Sequence, residues 1–312
     1  VTAPTSPPPI ATADAGSGED HGVELAIVIV LYRSRPDIEA FAACLAAQAG
    51  VRFRVIAVDN ASRDGAAEWI AEQNDRRWTL LRNATNLGYA RAANQGMRLA
   101  LAEGVPVLLM NTDITFAPDF LAALLAVRRH HAADVLAPRI LHADGQGTWY
   151  GGGYFEDSWL LRNIHDTEEI PGAPEHRLVG FAPGCCLLLT PAVLRRVGLL
   201  DERFHVYWED ADFCLRLKAA GCPIHYVREP SLIHAPGSSS GGEGTQAHLD
   251  LFYRSYGAFL RKHRHVPYAL VGVYRVWAEQ RRHGPARRLG PPGLLARAML
   301  AGIFPWLGAM MR

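Results

Sequence analysis

The 312-residue chain has no run of about 18 uncharged apolar residues, so no segment reads as a membrane span. Its five cysteines (Cys44, Cys185, Cys186, Cys214, Cys222) include no C-x-x-C pair and no Cys/His pattern of a zinc site. An odd cysteine count without a signal sequence points to a reducing, cytoplasmic setting. Residues 1–22 are rich in Pro, Ser, Thr, Ala and Gly, with neither a basic n-region nor an apolar h-region. They are expected to form a disordered tail rather than a targeting signal. There is no internal repeat, and no glycine in Leu31-Tyr-Arg-Ser-Arg-Pro36, where a glycine-rich phosphate loop would follow the first strand. Net charge is also nearly absent, at +1, but that balance hides an asymmetry. Residues 253–312 hold eleven Lys or Arg against the single acid Glu279, leaving the rest of the chain acidic. A basic segment of this kind meets anionic partners, with membrane phospholipid and nucleic acid as the general candidates.

What is present is an alternation of strands and helices. With 49% hydrophobic and 20% charged residues, the composition is that of a globular protein. Val23–Leu31, Phe53–Val58, Trp78–Arg82 and Val105–Met110 are apolar runs of strand length, and helical patterns come after them at about 36–48, 66–72 and 89–103. Four such alternations predict an open, mostly parallel α/β sheet, in which ligands lie beyond the carboxyl ends of the strands. From about 135 to 190 the pattern turns to short strands and glycine turns. A helix is expected near 191–197, another over Trp208–Gly221 with acids in its first turn, and a strand at Ile224–Val227. Residues 246–312 read as mainly helical. The expected organisation is a tail at 1–22, a catalytic domain at 23–245 and a basic helical extension at 246–312.

Several polar residues fall where such a sheet holds its ligand, and each also has a local reading. Asp59 ends a strand and is either a helix cap or an acceptor for the imide N–H of a uracil or thymine ring. Asp113, in Asn111-Thr112-Asp113, is either a turn residue or an oxygen ligand for Mg²⁺ or Mn²⁺ shared with a diphosphate. Glu209 and Asp210 suit the first turn of any helix. The aromatic approach Phe204-His-Val-Tyr-Trp208 suggests instead a desolvated carboxylate beside a sugar-stacking ring. His234, before a Gly/Ser loop, is either an ordinary packed histidine or a metal or diphosphate ligand. Asn86-Leu-Gly88 and Arg91 open a helix, with Gly88 allowing close backbone approach to a nucleotide and Arg91 reaching a phosphate.

In order and spacing, these pieces resemble family 2 glycosyltransferases, and within them the bacterial rhamnosyltransferase-like branch. The resemblance is carried by Val58-Asp-Asn-Ala-Ser62, Asn86-Leu-Gly88, Asn111-Thr-Asp113, Pro183-Gly184, Gly198-Leu-Leu-Asp-Glu-Arg-Phe204, Trp208-Glu-Asp210 and His234-Ala-Pro-Gly-Ser-Ser239, and it covers about 23–245. It implies a GT-A fold with a Rossmann-like nucleotide-binding half. It makes Asp59 the base contact, with Asn60, Asn86, Gly88, Arg91, Asn111 and Thr112 on the nucleotide side. It also makes Asp113 the metal-binding acid of a D-x-D-type motif, helped by His234. Asp210, with Glu209 beside it, becomes the catalytic base, and Trp208 and Gly184 line the sugar. Asn111 departs from the first Asp of D-x-D, which removes one charge from the metal site.

The implied reaction is inverting transfer of rhamnose or another hexose from a dTDP- or UDP-linked donor to a hydroxyl of a glycan or lipid-linked acceptor, in cell-surface polysaccharide synthesis. The alternatives are a sugar-nucleotide nucleotidyltransferase, which the missing glycine loop disfavours, and a degenerate sugar-nucleotide-binding scaffold, which the intact Asp59, Asp113 and Asp210 disfavour. With Trp277, Phe304 and Trp306 among its arginines, the basic extension suits the inner face of the cytoplasmic membrane, and nucleic acid is not an expected partner.

Overall fold

The apolar runs become adjacent strands because they are hydrophobic on both faces and are covered by helices on each side. A computed structural model describes residues 22–155, 163–165, 174–235, 245–263, 270–271, 273–274 and 294–304. Strands β1 (Leu25–Leu31), β2 (Phe53–Asp59), β3 (Trp78–Arg82) and β4 (Val107–Met110) run parallel in the order β4-β1-β2-β3. Helices α1 (Ile38–Ala46), α2 (Ala66–Gln73) and α3 (Tyr89–Glu103) connect them. Leu25, Ile27, Ile29 and Leu31 are wholly buried. Each such side chain is worth roughly 1.5–3 kcal/mol, so β1 is the spine of the core.

Beyond β4 the chain adds β5 (Ile114–Phe116), α4 (Phe120–His130), β6 (Val135–Leu141), β7 (Thr148–Tyr150) and β8 (Gly153–Phe155). Then come β9 (Asn163–His165), β10 (His176–Val179), β11 (Cys186–Leu189), α5 (Pro191–Val197), α6 (Glu209–Ala219) and β12 (Ile224–His234). The main sheet continues from β4 through β11, β6 and β12 to β10, while β8 and β9 pair separately. Strand β11 is antiparallel to both β4 and β6. Its amino end therefore reaches the edge where β4 ends its run, and Asn111 N donates to Cys185 O at 3.0 Å.

Two elements differ from the expected ones. The strand expected at 224–227 continues to His234, with a register shift between Val227 and Ser231. Its far half pairs antiparallel with β5, placing His234 opposite Ile114. Of the basic extension, helices α7 (Gln246–His263) and α8 (Leu294–Ile303) are described and pack on one another. Residues 1–21 of the tail expected at 1–22, the Ser/Gly loop after His234 and most of 264–312 lie outside the described residues. Among the described residues, no helix is long and apolar enough to cross a membrane.

Candidate active site

Strand spacing sets the scale of the site. Asp59 ends β2 and Asp113 lies just past β4, with β1 between them, so the two strand ends lie two inter-strand spacings apart, about 10 Å. That span suits a nucleotide whose base is near β2 and whose phosphates are near β4. Asp59 is buried, and its Oδ1 accepts the Ser62 N–H at 2.9 Å. Burial raises its pKa, with the Ser62 hydrogen bond and the Arg82 charge opposing.

The loops around Asp59 are cross-tied. Asn60 Nδ2 donates to Asn86 Oδ1 at 2.9 Å, while its Oδ1 accepts the Leu87 N–H at 2.9 Å. Asn86 Oδ1 also accepts the Gly88 N–H at 2.8 Å. Asn60 and Asn86 thus shape the loop beside Asp59, and their amides are engaged with the protein. Gly88 (φ +88°) is required by the packing of the chain itself. A Cβ there would lie 2.6 Å from His205 O and 2.7 Å from His205 Nδ1, so the close approach is to the chain itself. Arg91 has a protein partner, its Nε donating to Glu202 Oε2 at 3.1 Å.

At the β4 edge, Asp113 and His234 face each other in the interior. His234 Nε2 lies 3.2 Å from Asp113 Oδ1, and both side chains are buried. Among the described residues neither atom has a hydrogen-bond partner, and His234 Nδ1 has none either. Two buried electron-pair donors left unsatisfied at this separation fit a shared divalent cation. The β5–β12 pairing makes the approach possible, and Ala235 N donates to Asp113 O at 2.9 Å just beyond it. Trp149 meets the His234 ring edge-on at 4.9 Å; its place in the site had no signal in the sequence. Among the described residues, no group of three or more His, Cys, Asp or Glu comes together as a metal site. The cation would therefore need further oxygens from a bound ligand. Thr112 is buried beside this pair.

Asp210 enters from the amino end of α6. Its Oδ2 accepts the Gly184 N–H at 3.2 Å and its Oδ1 the Ala211 N–H at 2.7 Å. Gly184 O in turn lies 3.4 Å from the Tyr89 hydroxyl. Gly184 therefore positions the carboxylate through its backbone. Burial raises the pKa of Asp210 despite these two N–H donors. The Glu209 carboxyl beside it is buried, with Oε2 unpartnered. Burial first, then the Asp210 charge, pushes it above the usual carboxylate range. Two such acids cannot both ionise cheaply, which suits a group that must take up a proton.

Tyr207 (φ +68°) and Trp208 (φ +69°) precede α6 in the left-handed region. Each such residue costs about 1–3 kcal/mol, which marks the turn as one the surroundings must hold in place. Trp208 stacks on Tyr256 at 4.3 Å and also meets Phe252 and Phe259. Trp208 is thus packed against α7. Asp212, two positions past Asp210, is fully buried among Arg216, Lys262 and His263. Burial works against its charge, but the hydrogen bonds from His263, Lys262 and Arg216 prevail and lower its pKa.

Comparison with known proteins assigns this arrangement. The sequence profile of glycosyl transferase family 2 matches residues 26–198, more than half of the chain. The chain belongs to that family. As a family 2 glycosyltransferase, it is 30% identical over 262 residues to the N-acetylglucosaminyl-diphospho-decaprenol L-rhamnosyltransferase of Mycobacterium tuberculosis, covering 76% of this chain and 83% of that one. It is 25% identical over 250 residues to the dTDP-rhamnosyl transferase RfbF of Shigella flexneri, covering 78% and 81%. These relatives put it in the rhamnosyltransferase-like branch. Its fold matches the crystal structure of S. aureus TarS 1-349 in complex with UDP-GlcNAc at a TM-score of 0.58 and 15% identity, over 92% of this chain and 83% of that one. A crystal structure of GalNAc-T7 with UDP, GalNAc and Mn²⁺ matches at 0.55 and 12% identity, over 93% and 57%. The glycosyltransferase is thus a GT-A enzyme, a class that commonly uses divalent metals, and the nucleotidyltransferase alternative falls away.

Proposed function

We propose that this glycosyltransferase transfers rhamnose, or another hexose, from a dTDP- or UDP-linked donor to a hydroxyl of a lipid-linked glycan, with inversion, in cell-surface polysaccharide synthesis. The observation that carries the reading is the meeting of three strand ends and one helix end at a single edge. Asp59 accepts the imide N–H of the base, a donor that thymine and uracil both offer. Asp113 and His234 would hold Mg²⁺ or Mn²⁺ together with the donor's diphosphate. When bound, the cation supplies positive charge against the departing nucleoside diphosphate.

Asp210 takes the proton of the acceptor hydroxyl as that oxygen bonds to the anomeric carbon and the bond to the diphosphate oxygen breaks. Its two N–H partners fix the carboxylate, and its raised pKa makes it a better proton acceptor. The transition state is oxocarbenium-like, as in other glycosyl chemistry. The relatives' names favour dTDP-rhamnose and a prenyl-diphosphate-linked N-acetylglucosamine as first substrates to try. The basic segment after α7 would bring the enzyme to the cytoplasmic face of the membrane where such an acceptor resides.

The test is transfer of labelled sugar from dTDP-rhamnose, and from UDP-hexoses, to that acceptor in the presence of Mg²⁺ or Mn²⁺. Wild-type enzyme should give product. Asp210→Asn should lose about 10²- to 10⁴-fold in kcat while donor affinity stays within a few-fold. Wild-type turnover in Asp210→Asn would remove Asp210 as the base.

A further inference from the structure

The segment that carries Asp210 begins at Asp201 and turns into α6, with Asp212 in the first turn of that helix. Lys262, far along the chain on α7, touches both ends of this segment. Its Nζ lies 2.6 Å from Asp201 Oδ2 and 2.5 Å from Asp212 Oδ1. The ammonium is largely buried, as is Asp201, and Asp212 is wholly so. Three further contacts from the same helix fall between these two ends. Ser255 Oγ donates to Val206 O at 2.7 Å, Tyr207 packs on Phe252, and Trp208 stacks on Tyr256. His263 adds a 2.7 Å contact to Asp212. Helix α7 thus braces the turn in which Tyr207 and Trp208 hold positive φ, immediately before the two acids.

We propose that Lys262 is a positioning residue for catalysis: its ammonium closes the 201–212 segment like a staple and sets where the Asp210 carboxylate points. The inference rests on Asp210 being the base. Lys262 does this as a donor with three N–H groups, two of them spent on carboxylates at opposite ends of one segment. Without it, Asp201 retains Arg203 and Asp212 retains Arg216 and His263, and Arg216 still ties Asp212 to Val197 O and Leu199 O, but the direct bridge between the Asp201 and Asp212 carboxylates is lost. A loosened turn then lets its left-handed residues relax, and Asp210 moves off the Gly184 N–H. Small displacements of a reacting group cost large factors in rate.

The experiment compares Lys262→Met, which keeps the packed stem, with Lys262→Arg, which keeps two-sided donation. Lys262→Met should lower kcat at least tenfold, with donor affinity within about twofold of wild type, because Asp59 and Asp113 stand on other elements. Lys262→Arg should recover most of the loss. A purely structural role would lower the melting temperature in Lys262→Met while leaving the kcat of the folded enzyme unchanged, and that result overturns the staple. Should Lys262→Met not fold, Asp201→Ala removes the acceptor at the other end of the same bridge, and wild-type kcat in it is equally decisive against the proposal. Asp210→Asn run alongside separates the two readings. If it is inactive while Lys262→Met turns over normally, only the staple fails; if it is active, the base assignment fails, and the staple with it.

Discussion

Four histidines gather away from the active site, on the far side of the sheet from β3, and they give the molecule an acid-sensitive spot. The His131 ring, at the end of α4, stacks on His176 of β10 at a centroid distance of 3.7 Å. His176 Nε2 and His225 Nδ1 of β12 share a hydrogen bond of 2.8 Å, and His130 meets His131 edge-on. Rings packed this way tolerate little positive charge. Burial, then the charges of His131 and His130, lower the pKa of His176. Burial, then His176 and His131, lower that of His225, against some opposition from Asp134. The folded protein therefore keeps the His176 and His225 rings neutral to a lower pH than the unfolded chain does. In the unfolded chain they protonate near the ordinary value of about 6.5. Stability from this contact is intact above that value and falls as pH drops through it toward the lower folded values. The melting temperature of the wild type should fall more between pH 7.5 and 5.5 than that of His176→Gln. Equal falls would mean that the stack has no part in acid sensitivity.

Much of the architecture at the scale of elements is legible in the sequence, since apolar runs bounded by turns specify buried parallel strands almost by themselves. Helix α3 is legible to its last residue because alanine faces and a closing glycine mark it on both sides. Less legible is anything that depends on what packs against an element. The strand expected at Ile224–Val227 stops short of the second half of β12, which follows Pro230 and a register shift, yet that half brings His234 to Asp113. The stacking of Trp208 on Tyr256 of α7 and the close approach of Gly88 to His205 had no signal in the sequence. The basic extension presents the same problem in a form that can be tested. Cutting the chain near residue 250 would remove Tyr256 and Lys262 along with the arginines, confounding membrane contact with the integrity of the site. Full-length protein is the better probe. It should float with vesicles containing anionic lipid, remain behind with neutral vesicles, and lose binding in high salt, because surface charge attraction is screened. Arg287→Gln with Arg288→Gln should weaken flotation. Equal recovery with neutral vesicles would exclude an electrostatic contact.

The molecule as a whole assembles its site from parts that are incomplete separately. In the proposed site, the parallel strands β2 and β4 lead to Asp59 and Asp113, the turn before the antiparallel β11 to the Gly184 N–H, α6 to Asp210, and β12 to His234. For the metal, this division of parts has a thermodynamic consequence. Asp113 and His234 offer one carboxylate and one imidazole, with Asn111 standing where another acid would add charge. Hard divalent ions seek several oxygens, so this pair is a poor site until a diphosphate joins it. Metal and nucleotide should therefore bind cooperatively, and linkage requires that each raise the other's affinity by the same factor. A ligand stabilises the fold in proportion to the logarithm of its occupancy ratio, so thermal shifts report this directly. Mn²⁺ alone should move the melting temperature little. UDP or dTDP alone should move it modestly through Asp59, and the two together by more than the sum of the separate shifts. EDTA should return the shift to that of nucleotide alone. In Asp113→Asn the excess should vanish while the shift with nucleotide alone persists, because Asp59 stands two strand spacings away. Additive shifts in the wild type, or an undiminished excess in Asp113→Asn, would place the cation elsewhere.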